Sequence, residues 1–270
     1  MSPIDVEQMY GEWPLSDEEA EAILDRSLDP RPSESLFDTV GELGIGGDGV
    51  VLDIGARDAR YALTLAERFG CRVVAVDPVA RHVEEARAAV AAGGHGERIE
   101  VIQGRIEAIP AEDDTFDLIF CRDVLSHIPD LPMALTECRR VLKPGGHMLV
   151  YQTFATGWME SGEAARIYPD LAVAPESMDP GRLETVAAES GFSVASVDVV
   201  GSEWREAWEE DGSRRTSQRL LHAARLLRGR EELMTELTET VYRVELANAL
   251  WGIYQMIGKL EPRIYVLRKV

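Results

Sequence analysis

The apolar positions of this chain follow two patterns, and their alternation through its middle part predicts a series of strands and helices. Short continuous runs of Val, Ile and Leu predict strands at residues 50–54, 72–76, 99–103, 116–121 and 147–152. Apolar residues three and four positions apart predict helices at residues 59–69, 79–92 and 131–141. Apolar runs without polar alternation indicate parallel strands covered on both faces, and right-handed crossovers then give a doubly wound α/β sheet.

The segments on either side of this repeat are mainly helical. An acidic helix is predicted at residues 16–28, where Ser16 and Glu19 have the spacing of a capping box, and a second helix at residues 33–43. Beyond residue 153 the pattern predicts a short helix, a strand, two long helices and a last strand, at residues 183–189, 192–200, 202–259 and 263–267.

These patterns divide the chain into four parts. They are an N-terminal helical extension, an α/β core, a helical insertion and the last strand of the core, at residues 1–42, 43–200, 201–260 and 261–270. The insertion separates the last two strands, so we expect it to return to the sheet at both ends and to cover one edge of it.

Two residues at the ends of the first two strands indicate a nucleoside site. Ligands of a parallel sheet bind beyond the carboxyl ends of its strands. Gly55 follows the first strand and permits a tight turn with a close approach of a ligand. Asp77 ends the second strand, where one carboxylate can accept hydrogen bonds from both hydroxyls of a ribose. A tight turn and a helix-capping aspartate would also account for these two residues.

The loop after the first strand lacks a phosphate cradle. A dinucleotide requires G-x-G-x-x-G at this place, so that a helix N-terminus can reach the pyrophosphate. The segment GARDAR at residues 55–60 has one glycine and an acid, and the nearby glycines at 44, 46, 47 and 49 precede the strand. S-adenosylmethionine has no phosphate and carries a zwitterionic methionine, so this loop suits it better than a nicotinamide dinucleotide.

Five segments within residues 43–152 resemble the motifs of class I S-adenosylmethionine-dependent methyltransferases, in the order of that family. They are VVLDIGARDARYA, VVAVDP, GRIEAIP, FDLIFCRDVLSHIPD and VLKPGG. The resemblance implies a Rossmann-like sheet of seven strands in the order 3-2-1-4-5-7-6, with the last strand antiparallel. It also implies methyl transfer from S-adenosylmethionine, with S-adenosylhomocysteine as the product.

The same resemblance implies a cofactor site at the ends of the first four strands. Asp53 and Gly55 would lie under the methionine, Asp77 would hold the ribose, and the backbone at Arg105 and Ile106 would contact the adenine. The end of the fourth strand would contribute backbone contacts. The implied cofactor residues are Asp53, Gly55, Ala56, Arg57, Asp77, Pro78, Gly104, Arg105, Ile106, Cys121 and Arg122.

Two arginines depart from the usual motifs of the family. Arg57 replaces a glycine, and Arg105 replaces an acid that usually accepts a hydrogen bond from the adenine, which a guanidinium cannot do. Both could face solvent or pair with Asp58 and Glu107. They could instead recognise a modified cofactor with an added carboxylate, or they could mark a methyltransferase-fold scaffold that no longer binds the cofactor.

One histidine and three tryptophans are candidates for the acceptor side of the site. Methyl transfer needs alignment and exclusion of water, and it needs a base only when the nucleophile holds a proton. His127, one turn beyond the fourth strand, could be that base or could simply bond to the backbone. Trp158, Trp204 and Trp208 could form an apolar wall under a lid made by the insertion, or could only pack against other side chains.

The composition narrows the partners. With 28 Lys and Arg against 48 Asp and Glu, the net charge of −20 disfavours nucleic acid and anionic membranes. Three cysteines without CxxC spacing suggest buried free thiols in a reducing compartment. No targeting or membrane-spanning segment and no metal-ligand spacing is visible.

We therefore expect a cytoplasmic enzyme of specialised metabolism, without a metal, which methylates a nitrogen, oxygen or carbon atom of a small molecule. A homodimer is one option for its assembly. The non-catalytic scaffold is the main alternative, and a nicotinamide-dependent oxidoreductase is the less favoured one, because the glycines that a dinucleotide needs are absent from the first loop.

Overall fold

A seven-stranded sheet forms the centre of the computed structural model, which describes residues 6–11 and 15–270. The strands are β1 Val50–Ile54, β2 Arg72–Asp77, β3 Ile99–Gln103, β4 Phe116–Arg122, β5 Leu142–Ala155, β6 Phe192–Val199 and β7 Leu260–Lys269. Their order is β3-β2-β1-β4-β5-β7-β6. The first five are parallel, and β7 pairs antiparallel with both β5 and β6. The predicted fold class is confirmed, including the antiparallel last strand.

Helices connect the strands and cover both faces of the sheet. They are α1 Val6–Gly11, α2 Asp17–Leu24, α3 Ser35–Glu42, α4 Arg60–Phe69, α5 Ala80–Ala92, α6 Leu131–Val141, α7 Ser161–Ile167, α8 Pro180–Glu189, α9 Glu203–Glu210, α10 Arg215–Arg228, α11 Arg230–Glu236 and α12 Glu239–Met256. The predicted capping box forms at α2, where the Ser16 hydroxyl accepts from the Glu19 N–H and the Glu19 carboxylate accepts from the Ser16 N–H. No helix of the described residues is long and apolar enough to cross a bilayer.

The apolar core lies in two layers, one on each face of the sheet. Helices α6 and α8 pack on one face, and α3, α4 and α5 pack on the other. Strands β1 and β4 contribute to both layers, because their successive side chains point to opposite faces and almost all of them are buried. The three cysteines, Cys71, Cys121 and Cys138, are buried free thiols, as the sequence predicts.

The insertion between β6 and β7 contains four helices, α9 to α12, and not the two long ones that the pattern predicted. The chain turns after α9 at Gly212, which has φ +78°, and again at Gly229 between α10 and α11. Thr238 then caps α12, since its hydroxyl accepts from the Val241 N–H. Glycine and cap residues thus divide the predicted helical stretch into four separate helices.

A second excursion from the sheet lies between β5 and α8 and is absent from the sequence prediction. Residues 156–179 form α7 and two short 3₁₀ turns, at Pro169–Leu171 and Pro175–Met178. Ile167 and Tyr168 of this segment pack with Leu250 and Tyr254 of α12 in a separate apolar cluster. The two excursions are therefore joined to each other above the sheet.

The N-terminal extension is tied to the insertion by one arginine. The Arg31 guanidinium donates hydrogen bonds to Asp198 of β6, with an N–O distance of 2.7 Å, and to Glu203 of α9, at 2.6 Å. The Ser27 hydroxyl donates to Glu210 at the other end of α9. Both ends of α9 are thus anchored by the residues that precede α3.

Gly55→Ala should destabilise the folded chain. Gly55 has φ +77°, and a Cβ there would lie 2.4 Å from Val124 Cγ2. A left-handed backbone costs alanine roughly 1 kcal/mol, and overpacking adds about 1–3 kcal/mol. We expect the free energy of unfolding, measured in urea, to fall by about 2–4 kcal/mol. Gly47→Ala is the control, because no atom lies within 4 Å of its added Cβ. Equal stability of the two variants would contradict the steric explanation.

Candidate active site

A cavity of 860 Å³ opens at the carboxyl edge of the sheet, beyond the ends of β1, β2, β4 and β5. The sheet edge forms one side, while α9, α12 and residues 169–173 form the other. This is the place where ligands of a parallel sheet bind. Nine of the residues singled out from the sequence line it, namely Asp53, Gly55, Ala56, Arg57, Asp77, Arg122, His127, Trp204 and Trp208.

The other six residues lie outside the cavity lining. Trp158 is 75% exposed on the surface, whereas Ile106 and Cys121 are buried in the core. Gly104 is packed against Pro110, whose Cδ would lie 2.8 Å from an added Cβ. The remaining two are Pro78 and Arg105. The contact of Trp158 with a substrate and the contacts of the other five residues with a cofactor stay predictions.

The loop after β1 is held against the end of β2 by backbone hydrogen bonds. The N–H groups of Gly55 and Ala56 both donate to the Val76 carbonyl, at 2.8 and 3.1 Å. Arg57 adopts a left-handed backbone with φ +50°, and its N–H donates to Asp77 Oδ2 at 2.9 Å. The backbone of Arg57 therefore positions Asp77, while its side chain is exposed.

Asp77 is fixed from three directions and keeps capacity for a ligand. Besides the Arg57 contact, Asp77 Oδ1 accepts from the Val79 N–H at 2.9 Å and lies 3.0 Å from His82 Nδ1. A carboxylate offers about four acceptor positions, so one remains for a ribose hydroxyl. His82 also lines the cavity and was missed from the sequence. Its position in the first turn of α5, five residues after Asp77, was the available signal.

Asp53 is a buried carboxyl group at the bottom of the cavity. Burial raises the pKa of Asp53 to about 7, although a hydrogen bond from the Ala62 N–H opposes the shift. Asp53 Oδ2 has no hydrogen-bond partner among the described residues. A buried acceptor without a partner is costly unless a positive group compensates it. This environment fits the cationic amino group of the methionine in S-adenosylmethionine.

The Arg122 side chain joins the end of β4 to the helical cover. Its guanidinium donates to the Tyr61 hydroxyl and lies 4.8, 5.1 and 6.0 Å from the ring centres of Tyr61, Tyr151 and Trp204. Trp204 of α9 stacks on Tyr151 of β5, with centroids 4.5 Å apart and planes 7° from parallel. The sequence indicated only a backbone contact for Arg122, but the structure shows that its side chain connects α4, the sheet and α9.

His127 faces the cavity from the short 3₁₀ turn Leu125–His127. Its Nδ1 lies 3.1 Å from the carbonyl oxygen of Ala172, which can only accept, so Nδ1 carries the proton. The other ring nitrogen, Nε2, is then an acceptor. The two interpretations from the sequence are therefore compatible, because the backbone contact selects the tautomer that a base requires.

Asp123 is an acidic residue directly after β4, and the sequence analysis did not single it out. It adopts a left-handed backbone with φ +56°, its N–H donates to the Tyr151 carbonyl at 2.9 Å, and it lines the cavity. The available sequence signal was an aspartate directly after a strand. Aspartate tolerates the left-handed region better than most residues, so it suits a turn at this place.

Comparison with known proteins identifies the domain. Residues 52–150 match the family described as "Methyltransferase domain". The chain is 36% identical over 105 residues to the sarcosine/dimethylglycine N-methyltransferase of Halorhodospira halochloris, an alignment that covers 39% of this chain and 38% of that protein. The chain spans about half or less of the length of the curated relatives it matches.

Two solved structures share the fold over most of the chain. A candidate sarcosine dimethylglycine methyltransferase from Galdieria sulphuraria has a TM-score of 0.69 at 21% identity, covering 87% of this chain and 84% of that one. The cyclase SpnF has a TM-score of 0.66 at 18% identity, covering 87% and 80%. Likeness at these identities shows the fold alone.

The strand order, the cavity at the carboxyl edge and the domain match define the class. Residues 52–150 carry a methyltransferase domain, and the sheet has the strand order that the resemblance to class I S-adenosylmethionine-dependent methyltransferases implies. The cofactor of the class is S-adenosylmethionine, and the unpartnered Asp53 carboxylate and the free acceptor position of Asp77 both fit it.

Asp53→Asn should remove a pH dependence of stability. Burial raises the pKa of Asp53 to about 7, whereas an unfolded aspartate titrates near 3.9, so only the folded chain keeps this proton between the two values. The contribution of Asp53 therefore lowers the free energy of unfolding as pH rises from about 4 to 7, by about 3–4 kcal/mol at most. Urea unfolding of the ligand-free protein should show a smaller decline for the variant. Asp48→Asn, at an exposed position, is the control, and identical pH slopes for wild type and Asp53→Asn would refute the prediction.

Proposed function

We propose that this chain transfers a methyl group from S-adenosylmethionine to a small-molecule acceptor bound under α9 and α12. One observation carries the proposal. A single cavity joins the residues expected to hold the cofactor, Asp53 and Asp77, to His127 and to the aromatic wall of Trp204 and Trp208. A cofactor and an acceptor can therefore meet in one cavity, which in-line transfer requires.

The bound cofactor supplies an electrophilic methyl group on a sulfonium sulfur. The chain supplies position and exclusion of water. Asp53 and Gly55 hold the methionine end, and Asp77 accepts a hydrogen bond from a ribose hydroxyl. The stacked pair of Tyr151 and Trp204 closes the cavity on the acceptor side, so the acceptor is desolvated where the new bond forms.

His127 receives a proton when the acceptor atom carries one that it holds tightly. Because Nδ1 is bonded to the Ala172 carbonyl, Nε2 is free to accept. Asp123 follows the same strand and also lines the cavity. An acceptor that carries no such proton would need only the alignment that these residues give.

The proposal is tested first by binding, because binding separates it from its alternatives. Isothermal titration should show that the protein binds S-adenosylhomocysteine and does not bind NAD. The solved structure of SpnF, which is named as a [4+2]-cyclase, shares this fold, so the fold alone does not establish methyl transfer. A chain that binds neither ligand would belong to the non-catalytic alternative, and one that prefers NAD would be an oxidoreductase.

Asp77→Ala should weaken binding of S-adenosylhomocysteine by about 1.5–3 kcal/mol, the range of hydrogen bonds to a charged group. The same titration gives the dissociation constant, and circular dichroism confirms that the variant folds. Asp48→Ala removes an equal charge from an exposed site and should leave the affinity unchanged. If a folded Asp77→Ala protein kept the wild-type affinity, Asp77 would not be the ribose ligand.

The two unusual arginines should not contribute to cofactor affinity through their side chains. Arg57 acts through its backbone N–H, and Arg105 lies 3.6 Å from Glu107 with its side chain 70% exposed. Arg57→Gly and Arg105→Asp should therefore bind S-adenosylhomocysteine as well as wild type, or better where glycine relieves the left-handed backbone. A loss of about tenfold or more in the dissociation constant would instead assign the side chain to the cofactor.

The cytoplasmic location and the homodimer that the sequence suggested are part of this proposal and stay predictions. The acidic net charge of −20 supports the choice of a small acceptor over nucleic acid or an anionic membrane.

A further inference from the structure

The acceptor half of the cavity contains a guanidinium without a carboxylate partner. Arg205 lies on α9 and lines the cavity. Among the described residues, no Asp or Glu oxygen lies within 4 Å of it. Arg31 and Arg140, by contrast, each pair with two carboxylates. In a chain with 48 acidic residues, an arginine left without one at a ligand cavity requires an explanation.

The guanidinium of Arg205 is held in place by a buried chain of neutral groups. Its Nε and Nη2 both donate to Gln255 Oε1, at 2.8 and 2.5 Å. Gln255 Nε2 in turn donates to Thr153 Oγ1 at 2.9 Å. Gln255 is 5% exposed and Thr153 is 1% exposed. Helix α12, strand β5 and α9 therefore orient this side chain together, and they do so without neutralising its charge.

Helix α12 also leaves space for the Arg205 guanidinium, because it has a glycine there, Gly252. A Cβ at Gly252 would lie 3.3 Å from Arg205 Nη1 and 3.1 Å from Arg219 Cγ. The helix backbone thus comes close to the guanidinium, which a larger residue would displace. On its other side the guanidinium carbon lies 5.1 Å from the centre of the Trp208 ring. Arg205 is therefore positioned by α12 on one side and by the Trp208 ring on the other, and it lines the cavity.

The charges around Arg205 leave the acceptor half of the cavity positive. Arg122 and Arg205 line it together with one carboxylate near them, Asp123, which lies 3.9 Å from Arg122. Asp170, the other acid on this side, is already paired with Arg243. Burial, with repulsion from Arg219 and Arg122, lowers the pKa of the Arg205 guanidinium. Asp123 balances Arg122, so Arg205 is left with one uncompensated positive charge, which matches a ligand with a single negative charge.

We propose that Arg205, positioned by Gln255, binds a carboxylate group of the methyl acceptor. This inference rests on the proposed function, because it assigns the acceptor half of the same cavity. Trp208 lies beside the guanidinium, and Trp251, Val244 and Leu171 line other parts of the same cavity, so the cavity suits an apolar body. The acceptor is then a carboxylic acid with an aromatic or aliphatic body. A phosphate dianion would exceed the single positive charge.

The carboxylate of the cofactor's methionine is the other possible source of the negative charge. The methionine is expected beyond β1, next to Asp53 and Gly55. Arg205 is fixed to Thr153 of β5, which lies two strands away from β1 in the sheet order. At about 4.8 Å per strand the two places are separated by roughly 10 Å. The geometry favours the acceptor, and the experiment distinguishes the two sources.

The test uses the full chain saturated with S-adenosylhomocysteine and two matched pairs of probes. The probes are phenylacetate with phenylacetamide and octanoate with octanamide, titrated by calorimetry. In wild type, at least one acid should bind about tenfold or more tightly than its amide, as expected for a charge-assisted contact. Benzylphosphonate should bind no more tightly than phenylacetate.

Two variants assign the preference to the residues. In Arg205→Gln the acid and the amide should bind equally, whereas Arg215→Gln should keep the wild-type preference. Arg215 is the matched control, because its guanidinium also lies over Trp208, at 5.6 Å, but does not line this cavity. Gln255→Glu should also abolish the preference for the acid over the amide, because a carboxylate at this position would neutralise the charge of Arg205 without moving its side chain.

The outcomes are distinct. The inference is overturned if no acid binds better than its amide, if neither member of either pair binds, or if the preference survives in Arg205→Gln or Gln255→Glu. It is also overturned if Arg205→Gln weakens S-adenosylhomocysteine about tenfold or more, because the guanidinium then belongs to the cofactor's carboxylate. Failure of wild type to bind S-adenosylhomocysteine at all would refute the proposed function itself.

Discussion

The parallel pairing of β1 with both β2 and β4 is the constraint on which the site depends. Ile54, the last residue of β1, is in register with Val76 on one side and Cys121 on the other. The three strands therefore end at nearly one level, and the residues next after these three, Gly55, Asp77 and Arg122, meet at one edge although they are far apart in sequence. Gly55 lets the loop after β1 approach Val124, which follows β4, because an added Cβ at this position would lie 2.4 Å from Val124 Cγ2.

The cover over this edge depends on a few contacts between distant segments. Stacking of Trp204 on Tyr151, with the Arg122 guanidinium beside both rings, attaches α9 to the sheet. From the outer side, Arg31 holds the start of α9 through Glu203. Because α9 carries Arg205 and packs beside Arg122, the two halves of the cavity differ in charge. The cofactor half has the buried Asp53 and Asp77, and the acceptor half has two guanidiniums in an otherwise acidic protein.

The departures from the usual motifs are explained by backbone geometry. Arg57 adopts the left-handed conformation that glycine takes without strain, and its N–H holds Asp77. The position therefore requires a backbone donor in a particular direction, and the side chain is free to point outward. Arg105, near Glu107, likewise lies at the surface. The Arg57 side chain is exposed and Arg105 lies outside the cavity lining, so the motif can lose its glycine while the loop keeps its course.

The sequence by itself determined the order of elements, the fold class and the cofactor edge. Continuous apolar runs and capped amphipathic helices are local patterns, so β1, β3 and α6 were predicted with the observed bounds. Strand β5 was predicted too short, because its pairing with β7 extends it to Ala155. Tertiary structure alone added the lining residues that the sequence did not single out, on both the cofactor side and the acceptor side. His82, Asp123, Arg205 and residues 169–173 come to the cavity through contacts between distant segments, and a guanidinium's function depends on which charges surround it in space, which no local pattern records.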